Sequence, residues 1–140
     1  MRFWDSSALV PLIVAETLSE TMRALAEDER RIVVWWAAPV ECASAVARRE
    51  RAGDLDPEGA SDALATLDSL VAEWSEVPPT PQLRDEAGRL VRVHDLRAAD
   101  ALQLAALQAA SERRPRTLEF VALDDRLALA ARREGFPTLP

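Results

Sequence analysis

The run IVVWW, Ile32 to Trp36, is β-branched and aromatic with no polar residue breaking it. A strand with one wet face alternates apolar and polar side chains, so an unbroken run of this kind belongs to a strand covered on both faces. Thr117 to Leu123 is a second β-type run, and Arg2 to Asp5 a shorter one near the start. Between them lie stretches with helical start and stop signals. Short buried strands alternating with helices predict an α/β fold, a parallel sheet sandwiched between helices. With 140 residues and no repeat, low-complexity segment or long linker, residues 1–140 read as a single domain.

The helices are punctuated in the usual ways. Ser6 or Ser7 can cap a helix running to about Glu16, bent slightly by Pro11. Thr17 and Glu20 have capping-box spacing for a second helix through about Asp28. Pro39 suits the first position of a third helix that closes at Gly53, after Arg48, Arg49 and Arg51, which puts Glu41 in its first turn. Asp56-Pro57 and Thr80-Pro81 start a fourth and a fifth helix, with Glu76 and Val77 as a small strand between them. The sixth, LRAADALQLAALQAASERR, is nearly all apolar from Ala98 to Ala110 apart from Asp100, Gln103 and Gln108, and should be largely buried. Asp124-Asp125 opens a last helix closed by Gly135 and Pro137, and Thr138 to Pro140 is a candidate edge strand.

Composition narrows the chemistry. One Cys and one His exclude an internal disulfide and a Cys-based zinc cluster, so any metal must be held by oxygen. A net charge of -7 argues against indiscriminate nucleic-acid binding, yet clustered carboxylates neutralised by a cation leave a nuclease open. No stretch approaches the ~20 apolar residues of a membrane span, and no leader pattern precedes the first helix, so a cytoplasmic location is expected.

Ligands of parallel sheets sit beyond the carboxyl ends of the strands. Asp5 and Asp124 close strands there, while Glu41 and Asp100 fall in the first or second turn of helices beginning beside the sheet. Asp5 and Asp124 could equally be helix N-caps, and Glu41 could merely complement a helix dipole. Asp100 needs a partner within an apolar helix, and no Lys exists to supply one, although an Arg could. Four carboxylates at one edge repel one another unless a hard divalent ion, Mg²⁺ or Mn²⁺, lies among them.

DSSALV at Asp5, VECASA around Glu41, LRAADALQLAAL around Asp100 and FVALDDRLALAARREGF around Asp124 resemble the motifs of PIN-domain ribonucleases, in family order over nearly the whole chain. They are most similar to the VapC-type toxins of bacterial toxin–antitoxin pairs. The resemblance implies a PIN-like three-layer α/β/α sandwich with a short, mainly parallel sheet, and Mg²⁺- or Mn²⁺-dependent cleavage of RNA. By the same resemblance Asp5, Glu41, Asp100 and Asp124 are the acidic site, with Asp5, Asp100 and Asp124 as metal ligands and Ser7 in support. A cognate VapB-type antitoxin covering the site, and a homodimer, are also implied.

The chain departs from the family pattern at Ala122, where relatives often carry a hydroxyl, and at Gln103, where many have His; the latter reads as peripheral to catalysis. Asp125 shares with Asp124 the possibility of facing the ion, but the spacing to Leu127 favours Asp124. Arg48, Arg49 and Arg51 could meet RNA, but also complement the helix dipole. Of Trp35 and Trp36 at least one should be core, Cys42 should pack as a small apolar group, and His94 should be a surface residue. A catalytically silent PIN-like domain acting as a protein-binding module is the competing reading. A phosphatase with Asp5 as nucleophile lacks the lysine such a phosphate site uses.

Overall fold

The computed structural model describes residues 1–140. Its chain order is β1 (Arg2–Trp4), α1 (Ser6–Ile13), α2 (Ser19–Asp28), β2 (Ile32–Trp35), α3 (Ala38–Arg51), α4 (Pro57–Val71), β3 (Ser75–Val77), α5 (Pro81–Val93), α6 (Ala98–Ala110), a 3₁₀ turn (Pro115–Thr117), β4 (Glu119–Val121), α7 (Asp125–Arg133) and β5 (Thr138–Leu139). The five strands form one sheet in the order β3-β2-β1-β4-β5. Every pairing is parallel, with Phe3 opposite Val33 on one side and Phe120 on the other.

Side chains alternate across the sheet and feed two separate cores. Phe3, Val33, Trp35 and Phe120 point to the layer of α5, α6 and α7, together with Leu90, Leu104, Leu107 and Leu127. Trp4, Val34 and Val121 point the other way, onto Leu9 of α1, Met22 of α2, Val46 of α3 and Leu67 of α4. This is the expected three-layer α/β/α sandwich, and it explains the unbroken apolar strands: both faces are covered. Phe3 and Phe120 meet across the sheet with ring centroids 6.0 Å apart. No helix is long and apolar enough to cross a membrane.

Local chemistry accounts for most boundaries. Asp56 accepts from Gly59 N at 2.6 Å and Thr80 from Leu83 N at 3.1 Å, so both predicted cap-plus-proline starts form. Four expectations fail. The Thr17–Glu20 capping box is absent: Leu18 takes the cap position without a side-chain bond. Instead the Ser19 hydroxyl accepts from Glu16 N and donates to Val14 O, tying off the loop that ends α1 three residues early. Neither Ser6 nor Ser7 caps α1; Asp5 does. α6 stops at Ala110, because Glu112 and Arg113 adopt left-handed backbone with φ of 51° and 59°.

Candidate active site

β1 and β4 lie side by side at the centre of the sheet, so the residues leaving their carboxyl ends, Asp5 and Asp124, emerge as neighbours. Each caps the helix that follows. Asp5 Oδ2 accepts from Ser7 N at 3.0 Å and Asp124 Oδ1 from Leu127 N at 2.8 Å. The cap and ligand readings are therefore compatible: the cap bond spends one carboxylate oxygen on the helix and fixes the rotamer. α3 begins beside this edge and brings Glu41 in its first turn; α6 brings Asp100 in the same way.

These four acids line one cleft of about 580 Å³, with Ser6, Ser7, Ser44, Arg48 and Arg49 among its other walls. None of the four is in a salt bridge. Asp5 is 4 % exposed, and burial pushes its carboxyl up to about 6, reinforced by Glu41 and Asp100 and partly countered by hydrogen bonds from Ser7. Burial also raises Glu41, with Asp100 adding to the shift while Gln103 and Ser6 counter it. Asp100 is raised by burial and by Asp124, against the pull of Arg97 and Arg126. Asp100 is less enclosed than its apolar helix implied, since the first turn of α6 leaves it half-buried.

The hydroxyls hold this arrangement together. Ser7 Oγ accepts from Leu123 N at 2.9 Å and Asp124 N at 3.3 Å, joining the start of α1 to the end of β4. Ser6 Oγ donates to Glu41 Oε2 at 2.9 Å. The same oxygen accepts from Gln103 Nε2 at 3.0 Å, so Gln103, which the sequence made peripheral, is part of the site. The signal that could have found it is a polar residue one helical turn after Asp100, at i+3 on the same face of a helix otherwise buried.

The donor set is all oxygen, which suits Mg²⁺ or Mn²⁺. No three Asp, Glu, His or Cys side chains stand close enough together to enclose an ion. That spacing fits a cation held by one or two carboxylates with water and substrate oxygens completing its shell, the habit of Mg²⁺. Like charges gathered without a paired cation, one of them buried, favour such an ion.

Other candidates separate cleanly. Trp35 is core, whereas Trp36 is 55 % exposed. Arg49 donates to Glu16 at 2.8 Å through Nε, and Arg51 lies outside the cleft. Asp125 is exposed in the first turn of α7 and does not line the cleft, while Asp124 does. Cys42 is buried, its thiol pushed up to about 12 by burial and the neighbouring acids. His94 is not a surface residue: it is buried and lies 2.6 Å from Glu134, outside the cleft lining. Ala122 is buried and supplies no hydroxyl; Ser7 is the hydroxyl bonded to the backbone at this point.

The PIN domain family model matches residues 2–133. The chain is 32% identical over 110 residues to Ribonuclease VapC45 of Mycobacterium tuberculosis (strain CDC 1551 / Oshkosh), covering 79% of this chain and 76% of that protein. The same figures hold for Ribonuclease VapC49 of Mycobacterium tuberculosis (strain ATCC 25618 / H37Rv). Among solved structures, PAE2754 from Pyrobaculum aerophilum superposes with a TM-score of 0.69 at 19% identity, over 98% of this chain and 87% of that one, a likeness of fold. With the sheet, the acidic edge and these matches together, the chain belongs to the PIN-domain family, in its VapC branch.

Proposed function

We propose that this protein is an endoribonuclease toxin that hydrolyses RNA phosphodiester bonds with Mg²⁺ or Mn²⁺. The observation that carries the reading is the convergence of Asp5, Glu41, Asp100 and Asp124 on one cleft without a single ion-pair partner. The ribonuclease names of the two mycobacterial relatives support it.

Asp5, Asp100 and Asp124 would hold the cation, one or two of them directly and the rest through water. A bound divalent ion supplies Lewis-acid polarisation of the phosphate and lowers the pKa of an attacking water. Glu41 orients that water and takes its proton, a task suited to a carboxylate whose burial raises its basicity. Ser7 would keep Asp124 in register with Asp5 through its bonds to the Leu123 and Asp124 amides just beyond β4. The departing oxyanion is protonated from solvent, and no protein nucleophile takes part. By family analogy the toxin acts in the cytoplasm, forms a homodimer and is restrained by a VapB-type antitoxin that covers the cleft.

The test is cleavage of structured RNA by purified wild type, Asp5→Asn and Asp124→Asn, each with Mg²⁺, Mn²⁺ or EDTA. Cleavage is expected only for wild type with metal. Activity that survives in both variants, or in EDTA, refutes the metal-site mechanism. A protein-binding module would be inert in all these mixtures.

A further inference from the structure

Gln103 is 1 % exposed on α6. Its Nε2 donates to Glu41 Oε2, while its own carbonyl oxygen is buried with no hydrogen-bond partner. The opposite amide orientation would set that carbonyl against a carboxylate, so the donor is the end that must face Glu41. A buried unpaired carbonyl destabilises the fold, and Met or Leu would fill the same space without that penalty. The polar residue is therefore explained by what it does to Glu41.

Glu41 reaches this point from α3, sixty-two residues away in sequence. Its Oε2 is doubly occupied, by Gln103 and by Ser6. Its Oε1 accepts no hydrogen bond and is not among the buried unpaired atoms, which leaves it open to the cleft that Glu41 lines. A long glutamate side chain has three rotatable bonds, and two donors on one oxygen remove most of that freedom.

We propose that Gln103 is the positioning residue for Glu41: its buried amide, acting with the Ser6 hydroxyl, anchors Oε2 so that Oε1 faces the reacting atoms. This rests on the ribonuclease reading for its consequence, but the anchoring itself is a property of the protein alone. Because α6 also carries Asp100 one turn earlier on the same face, a single helix sets both an acid of the metal site and the aim of the residue that handles the water.

The test uses Gln103→Met, which removes the donor and keeps the volume, and Gln103→His, which restores an N–H. Gln103→Met is expected to lower kcat by about 10- to 100-fold with KM unchanged and no fall in Tm, and Gln103→His to recover most of the rate. In ¹⁵N-labelled protein without metal, the Gln103 side-chain amide signals, assigned by their loss in Gln103→Met, should shift on Glu41→Ala. A kcat within twofold of wild type in Gln103→Met, or amide signals indifferent to Glu41→Ala, overturns the proposal. If wild type cleaves no RNA with either metal, the ribonuclease reading falls, and the amide signals alone decide the anchoring.

Discussion

Replacing Asp5 by Asn should make the metal-free protein more stable while abolishing its response to metal. The folded Asp5 carboxyl titrates at about 6 against 3.8 when unfolded. Between these values the folded state holds a proton that the unfolded state has lost, so stability falls as pH rises through the window and stays lower above it. At neutral pH the gap corresponds to about 3 kcal/mol of destabilisation by the ionised acid. Asn caps a helix as well as Asp and can keep the bond from Ser7 N. Setting about 1 kcal/mol against the gain for a buried, poorly paired amide leaves a net stabilisation of about 2 kcal/mol. For a domain of this size that is a rise in Tm of about 6 °C. The assay is thermal and urea unfolding at pH 7.5 in EDTA and again in saturating Mg²⁺. Wild type should gain with the ion, by about 3 kcal/mol at a hundredfold excess over Kd, and Asp5→Asn should not. At pH 4 the advantage of Asn should disappear. An Asn variant less stable than wild type in EDTA at pH 7.5 would refute the reasoning.

Ser7→Ala should cost about 1–3 kcal/mol in urea unfolding, because the Leu123 and Asp124 amides lose their acceptor. Arg48 lines the cleft on the same face of α3 as Glu41, about 10 Å along the helix, and has no acidic partner. Under the ribonuclease reading, Arg48→Ala weakens RNA binding by the inactive Asp5→Asn protein and flattens log K against log salt by about 0.7, whereas Arg51→Ala leaves the slope alone. Glu134 accepts from His94, Arg89 and Gln108. Although burial works against it, His94 and Arg89 hold its carboxyl below the usual glutamate range. Its contribution is therefore present above that range and is lost as pH falls through the lowered value. Glu134→Gln should cost about 1–3 kcal/mol at pH 7, with the difference from wild type closing in acid, as followed by urea unfolding across pH.

What is legible in the sequence is what depends on near neighbours. Unbroken strands, cap-plus-proline helix starts and the glycines at 53 and 135, both with positive φ, needed only local rules and came out as expected. The acids could be assigned to one sheet edge because strand ends in a parallel sheet share a side. Hidden from the sequence was everything settled by side chains meeting across the fold. Thr17 and Glu20 had the right spacing, yet Ser19 found Val14 and Glu16 instead. Gln103 looked incidental because its partner lies on another helix, and His94 looked exposed because Glu134 comes forty residues later. Asp100 sits at the edge of the apolar stretch rather than inside it, because the first turn of α6 is open to solvent.

Because β1 lies at the middle of the sheet, its two neighbours lie at very different separations along the chain: β2 pairs with it across about thirty residues, β4 across nearly one hundred and twenty. During synthesis the first partner follows β1 closely, while the second leaves the ribosome well after it, as do Asp100 and Asp124. Until β4 docks, β1 has an open edge and half of the acidic residues are missing. Under the ribonuclease reading, a partly made chain thus lacks half of the acids proposed to cut RNA, including the message still being read to produce it.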